Sequence, residues 1–449
     1  MAARMEFHSH TDPSLTSSFG DALLASLAPD GGLWMPSALP VFDQADMARM
    51  GAMDFADCAA ELSRWFAGDE LSADTLRDIC RDAYDFSVPI RTLSGEPFDA
   101  AMTEAHDAYI LELFHGPTLA FKDFAARFMA RCVARLLGER KERRTILVAT
   151  SGDTGGAIGD AFLGQDNIEV VILYPEGGVS RVQEQQLTTM HGNVRALRVT
   201  GSFDDCQALV KQAFANDALR KRHDLMSANS INVGRVVPQS FYYLWTALQL
   251  KAGHPERPLV YSIPSGNLGN ITGGLMARLM GAPIDRFVAG HNANDPFVDF
   301  LRTGTYEPRP SVPTLSNAMD IGRPNNFARI LALFDGDAEA VRKVCWGASY
   351  SDEETERHMR RVHSRTGYVM CPHTTIGHLA MQDHAAAHDG DATRVTVATA
   401  HPGKFQTDVE RIIREDLDLP KALANLSEKQ SVVRDIAPDL DALSAVLAE

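Results

Sequence analysis

The sequence has few cysteines, and the six it has are scattered: Cys58, Cys80, Cys132, Cys206, Cys345 and Cys371 form no C-x-x-C pair and no metal-ligand spacing. They read as reduced thiols, the expectation for a cytoplasmic protein. Positive charge is also in deficit. Lys and Arg number 43 against 59 Asp and Glu, a formal net charge of −16, which argues against a general affinity for nucleic acid or anionic membrane surfaces. No apolar run is long enough to span a bilayer, and the opening Met1 to His8 lacks the apolar core of a signal peptide. Neither G-x-G-x-x-G nor G-x-x-x-x-G-K-[ST] occurs, so nucleotide-binding readings lose ground. Repeats of fixed period and low-complexity tracts are absent as well. Cys371-Pro372-His373 with His378 has a superficial metal look, but the spacing fits no standard zinc pattern; these histidines are expected to be structural and no metal is expected.

What remains is the composition of a globular enzyme, and 449 residues suggest two or three domains. From Phe19 to about Asp85 the pattern is helical, interrupted by the turn-rich stretch Ala28 to Pro36. After Pro89, short β-branched runs alternate with amphipathic helices, the signature of βαβ units on a parallel sheet. Ile146 to Thr150, Val170 to Tyr174, Leu259 to Ile263 and Val395 to Ala398 are the expected strands, and the tail from about Pro420 reads as one or two surface helices.

Lys122 is the most informative residue. It follows the turn His115-Gly116-Pro117 and opens a helix whose apolar residues Phe121, Phe124, Phe128, Cys132 and Leu136 fall at helical spacing. An ammonium is disfavoured in a first turn, where unpaired N–H groups create positive potential, and apolar neighbours desolvate it further. Both effects favour a neutral, nucleophilic amine able to form a Schiff base with a carbonyl cofactor. A lone lysine in such a place is more often structural, its stem on the helix and its head in water. Two glycine loops shift that balance. Ser151-Gly152-Asp153-Thr154-Gly155-Gly156 and Pro264-Ser265-Gly266-Asn267-Leu268-Gly269-Asn270 each follow a strand and precede a helix, where backbone N–H groups converge on an anion. Thr399 adds a hydroxyl at a third strand end, a weak partner for a pyridine nitrogen.

These elements, in this order, resemble the threonine synthase family of pyridoxal-phosphate enzymes of fold type II. H-G-P-T-x-A-F-K-D-F (115–124), T-S-G-D-T-G (150–155), N-S-I-N-x-x-R (229–235), P-S-G-N-L-G-N (264–270) and A-T-A-H-P-x-K-F (398–405) carry the resemblance, and Leu27 to Leu33 matches the longer bacterial and fungal branch. The resemblance implies an α/β fold with two open, mostly parallel twisted-sheet domains and an additional N-terminal helical region. The implied division is an N-terminal, mainly helical domain over 1–95, a large pyridoxal-phosphate domain over 96–130 and 235–420, a smaller α/β domain over 131–234, and a C-terminal helical segment over 421–449. It also implies pyridoxal 5'-phosphate as cofactor and conversion of O-phospho-L-homoserine and water to L-threonine and phosphate. Lys122 would form the Schiff base and shuttle protons; Gly266, Asn267, Leu268, Gly269 and Asn270 would cradle the cofactor phosphate; Thr399 would face the pyridine nitrogen and Asp153 the ring hydroxyl. Ser151 and Thr154 would hold the substrate carboxylate. Asn232 and Arg235, three residues apart at a helix start, are the expected partners of the leaving phosphate, with Lys404 a weaker second cation.

The sequence departs from the family pattern at the periphery. Ser9-His10-Thr11-Asp12-Pro13 replaces S-T-R-G, Pro324-Asn325-Asn326 replaces P-S-N, and Ser180-Arg181-Val182-Gln183 replaces S-P-L-Q. The competing readings are a threonine or serine dehydratase of the same fold type and a non-catalytic, ligand-binding relative. A small-molecule substrate, no nucleic acid or membrane partner, and a monomer or homodimer complete the expectation.

Overall fold

The structure, a computed structural model, describes residues 5–94, 109–388 and 390–449. Two sheets, each flanked by helices, carry the architecture. The larger has six strands in the order Cys345–Ser349, Arg286–His291, Leu259–Pro264, Thr393–Ala398, Tyr109–Glu112 and Ile90–Thr92, parallel throughout except for the last, antiparallel strand. The smaller has five parallel strands in the order Arg434–Ile436, Val194–Val199, Ile168–Pro175, Arg144–Ala149 and Leu225–Met226. All four strands expected from β-branched runs are present, each within a few residues of its expected ends. The expected boundary between residues 95 and 96 lies outside the described residues.

At both ends of the chain the structure adds strands to the expected helices. The N-terminal region has the expected helices, Phe19–Ala25, Gln44–Gly51, Phe55–Ala67 and Ala73–Ala83, each opened by a Ser or Asp that caps its first turn. It also holds a three-stranded antiparallel sheet of Phe7–Ser9, Thr16–Ser17 and Trp34–Pro36. The tail is not simply surface helix. Arg434–Ile436 extends the smaller sheet in parallel with Val194–Val199, and helix Leu440–Leu447 buries Leu443 and Val446 in the same core. A three-residue strand is too short to show an alternating pattern, so sequence periodicity could not reveal it.

Helix Lys122–Arg140 runs through the centre of the main core. Its face carries Phe124, Phe128, Cys132 and Leu136, all buried. Phe124 packs at 5.5 Å from Phe55 and 5.1 Å from Tyr242, centroid to centroid, which ties the N-terminal helices and helix Val237–Gly253 to it. Each such fully buried ring contributes roughly 2 kcal/mol, so the helix axis is firmly held and its first residue projects from a rigid base. The carboxyl ends of Arg144–Ala149, Leu259–Pro264 and Thr393–Ala398 lead into Ser151, Ser265 and Thr399, all in one crevice beside that helix end.

Candidate active site

The lysine loop is anchored from both sides. Phe121 N–H donates to the Thr399 carbonyl at 2.8 Å and His401 N–H to the Leu119 carbonyl at 3.0 Å, which lays the loop antiparallel to the segment after strand Thr393–Ala398. Leu119, with φ +58°, takes a left-handed conformation to make this turn. Helix Lys122–Arg140 then starts without a side-chain cap. The Lys122 side chain is 15 % exposed, and its Nζ lies 3.6 Å from Oδ2 of Asp153. Burial lowers its pKa, the Asp153 carboxylate opposes that shift, and the cations of Lys404 and Arg235 reinforce it.

Asp153 opens helix Asp153–Phe162 behind Gly152, whose φ of +120° and whose closeness to Gln183 leave no place for a side chain: an added Cβ would lie 2.4 Å from Gln183 Cδ. Burial alone would raise the Asp153 pKa, yet the ammonium groups of Lys404 and Lys122 and the amide of Gln183 hold it well below the carboxylate range. Ser151 and Thr154, on the same turn, line the pocket.

Opposite stands the second glycine loop, with Gly266, Asn267, Leu268, Gly269 and Asn270 all at the pocket wall. Helix Gly269–Leu279 begins after Leu268 in a left-handed conformation and has no side-chain cap, so its first N–H groups stay available to an anion. Gly266 approaches Met319 so closely that a Cβ would sit 2.8 Å from the Met319 Cα. The Asn270 carboxamide is oriented by two tyrosines: the hydroxyls of Tyr242 and Tyr243 donate to its Oδ1 at 2.6 and 2.8 Å. Its Nδ2 is buried and has no acceptor among the described residues. Asn267 donates to the Ser230 hydroxyl at 2.7 Å and so joins this loop to the 229–235 segment.

Arg235 reaches the same pocket and is 4 % exposed. Its Nη1 has no acceptor among the described residues, and burial lowers its pKa to about 10 against the opposing pull of Asp123 and Tyr242. A buried guanidinium without a counter-ion is costly unless an anion visits it. Thr399, 6 % exposed, closes the wall beside Lys122.

Asn232 and Lys404 correct their sequence-based assignments, because neither lines the pocket. Asn232 caps the 3-10 turn Val233–Arg235 by accepting from Gly234 N–H, and its Nδ2 donates to the carbonyls of Leu23 and Ser227. Lys404 is fully buried behind Asp153, its ammonium donating to Thr118 and Gln186. His115 is turned to Glu112 at 2.8 Å, also outside the pocket. None of the described residues before Phe121 lines the pocket either. Ser9 and His10 act at a distance, holding Asp30 and the Leu33 N–H of the neighbouring turn.

The structure adds residues that sequence reasoning passed over. His373, read as structural, lines the pocket; its Nε2 accepts from Ala318 N–H at 3.2 Å, and its Nδ1 is buried without a partner among the described residues. Burial lowers its pKa to about 4, so it is a neutral imidazole whose Nδ1 carries the proton, since Nε2 accepts. Gln239 and Asn229 also line it. Asn229 sits inside the N-S-I-N motif, a signal available in the sequence; Gln239, in the first turn of helix Val237–Gly253, had none. No group of three or more metal-ligating side chains occurs among the described residues.

A buried, deprotonation-prone amine, an uncapped helix N-terminus with a free amide donor, a glycine with no room for a side chain and a neutral hydroxyl at a strand end together fit a phosphorylated aromatic aldehyde. The comparisons agree. Family models match at residues 6–84 (threonine synthase N terminus), 101–400 (pyridoxal-phosphate dependent enzyme) and 374–447 (threonine synthase, C-terminal). The chain is 40% identical to the threonine synthase of Serratia marcescens over 424 residues, 94% of each chain. It is 38% identical to that of Escherichia coli over 443 residues, 99% of each, and the solved structure of the latter superposes with a TM-score of 0.89 over 99% of both chains. A structure of threonine synthase with bound pyridoxal phosphate from Brucella melitensis, 34% identical, covers 99% of this chain and 98% of its own with a TM-score of 0.88.

Proposed function

We propose a division of labour for this pocket from the premise that the chain belongs to the threonine synthase family of pyridoxal-phosphate-dependent enzymes. Its function is that of the family, a biosynthetic lyase acting on a small molecule with pyridoxal phosphate as cofactor. The substrate in this reading is O-phospho-L-homoserine, taken with water to L-threonine and phosphate. The observation that carries it is the buried, unpaired Arg235 in the same pocket as Lys122 and the uncapped glycine loop: one anion site serves a cofactor phosphate, and a separate cation remains for a phosphate on the substrate.

Gly266 to Asn270 would hold the cofactor phosphate, and Asp153 and Thr399 its ring. When bound, pyridoxal phosphate supplies an electron sink for negative charge at the substrate α-carbon. Lys122 would hold the cofactor covalently and, as a free amine, would take and return protons at successive substrate carbons; its lowered pKa leaves the amine free to accept them, and its long stem spans the distance between them. Ser151 and Thr154, at a helix start, bind the substrate carboxylate. Arg235 neutralises the departing phosphate, a role a guanidinium performs through paired N–H donors. Burial of the pocket floor excludes bulk water from the charged intermediate states.

This reading extends to a cytoplasmic monomer or homodimer with no nucleic-acid partner. Six free, buried cysteines and a net charge of −16 support it.

The test is direct. Protein supplied with pyridoxal phosphate is expected to turn yellow, to lose its visible band on borohydride reduction with the adduct mapped to Lys122, and to release phosphate from phosphohomoserine. Ketoacid formation from threonine in place of phosphate release would assign it to the dehydratases, and a colourless preparation in excess cofactor would overturn the reading altogether.

A further inference from the structure

Two lysines, not one, flank the Asp153 carboxylate. Lys122 Nζ faces Oδ2 at 3.6 Å, while Lys404 Nζ lies 3.1 Å from Oδ1, which also accepts from Gln183 Nε2 at 2.9 Å. Lys404 is 0 % exposed, and its remaining N–H groups donate to the Thr118 carbonyl and the Gln186 Oε1, each at 2.7 Å. Two of its donors are thus satisfied by hydrogen bonds and its charge is paired with Asp153, so the ammonium is engaged within the protein. The Lys404 carbonyl accepts from the Ser180 hydroxyl at 2.7 Å, and Gln186 Nε2 donates to the Thr118 carbonyl at 3.1 Å, so the lysine is held by both the helix Arg181–Thr188 and the loop that leads into Lys122.

We propose that Lys404 is a positioning residue for the reaction: it occupies one oxygen of Asp153, keeps the carboxylate ionised, and thereby prevents that carboxylate from locking Lys122 as its sole ammonium partner. The inference rests on the reading of Lys122 as the cofactor lysine and deepens it. A single buried carboxylate beside a single buried amine would form an ion pair and hold the amine protonated, which is the wrong state for a nucleophile. With a second ammonium sharing the carboxylate, the attraction on Lys122 is divided, and the repulsion between the two cations favours the neutral amine. Of the other charged or titratable groups near Lys122, Arg235 from the turn Val233–Arg235 lowers its pKa, His373 from helix Pro372–Ala387 is uncharged at neutral pH, and the adjacent Asp123, its pKa raised by burial to about 6, accepts from Thr118.

The test uses the full chain free of cofactor, with acetic anhydride as probe and mass spectrometry of the Lys122 peptide at graded pH. Lys404→Met is expected to raise the midpoint of Lys122 acetylation by about one pH unit or more, a tenfold loss of reactive amine at fixed pH. Should that variant fail to fold, Lys404→Gln takes its place, because its amide can still donate toward Thr118 and Gln186 while the charge is removed and Asp153 stays in place; it is likewise expected to raise the midpoint. An unmoved midpoint in a folded variant overturns the proposal. Borohydride trapping on the unsubstituted protein stands apart from this result, so failure of the cofactor reading and failure of the Lys404 role are separately visible.

Discussion

Arg329 and Asn326 form the joint on which the second glycine loop, Pro264 to Asn270, is hung. Arg329, 1 % exposed, donates from Nη1 to the Asn326 Oδ1 at 2.6 Å, and the Asn326 Nδ2 donates onward to the Asn267 carbonyl at 2.9 Å. The same guanidinium reaches the carbonyls of Ser230 and Ile231 at 2.8 and 2.6 Å and that of Trp34 at 3.4 Å. The N-terminal sheet and the 229–235 turn therefore meet on one side chain, and Asn326 carries the link on to the glycine loop. Burial lowers its pKa to about 9, which leaves it a cation at neutral pH.

Arg329→Ala leaves several buried acceptors unsatisfied, and each such group costs roughly 1–3 kcal/mol. The expected loss is about 3 kcal/mol of stability in chemical denaturation, together with weaker pyridoxal-phosphate binding in an absorbance titration. Unchanged cofactor affinity would show that the loop does not depend on this joint.

Asn270→Asp is a sharper probe of the cradle. Asp would still accept from Tyr242 and Tyr243 at the retained oxygen, but the unpartnered Nδ2 donor would become a second, negatively charged oxygen aimed at the phosphate. A charge-assisted hydrogen bond is worth about 1.5–3 kcal/mol, so the Kd for pyridoxal phosphate is expected to rise at least about tenfold. An equal Kd would place the cofactor phosphate elsewhere.

Arg235→Ala separates substrate from cofactor. We expect KM for phosphohomoserine to rise on the order of 10 to 100-fold, the scale of one lost charge-assisted contact, while the visible spectrum of the bound cofactor is retained. Steady-state phosphate release checks the first, absorbance the second.

The pair His358 and His378 predicts acid sensitivity. Arg361 Nη2 donates to His358 Nδ1 at 2.7 Å, and since a guanidinium cannot accept, His358 Nε2 must donate to His378 Nδ1, also at 2.7 Å. Burial lowers the pKa values to about 3 and about 4, with the neighbouring charges adding to the effect. Both imidazoles are neutral when folded and protonate near pH 6.5 when unfolded, so the unfolded state binds more protons between those values and stability falls as pH drops from about 6.5 to about 4. At about 1.4 kcal/mol per unit, His378 alone accounts for a loss on the order of 3 kcal/mol. Urea midpoints measured across that range should fall, and His378→Gln should flatten the slope; a slope that stays the same assigns the acid sensitivity to other groups.

Much of the site is legible in the sequence because its chemistry is local. Lys122, the Ser151 to Thr154 turn, Gly266 to Asn270 and Thr399 each lie at the end of a strand or the start of a helix, and the crevice of a parallel sheet collects such ends. Arg235 was found through a neighbouring motif. Asn232 was misplaced for a physical reason: an i, i+3 pair faces one way on an α-helix, but here the asparagine is the extended N-cap of a 3-10 turn and bonds its own backbone two residues on. His373 and Gln239 could not be singled out, since only the packing of helices Pro372–Ala387 and Val237–Gly253 against the sheet turns them inward.

The chain order of strands, helices and glycine turns, and hence the class of fold, and the candidacy of Lys122 as the Schiff-base lysine were determined by the sequence itself, because these depend on periodicity, turn chemistry and residue type within short windows. The charge state of the pocket was decided only by tertiary structure. Whether Lys404 meets substrate or Asp153, whether Arg235 has a counter-ion, and whether the tyrosines take the Asn270 oxygen and leave its Nδ2 unpartnered are questions of distance between segments far apart in the chain, and electrostatic strength follows distance and burial in three dimensions.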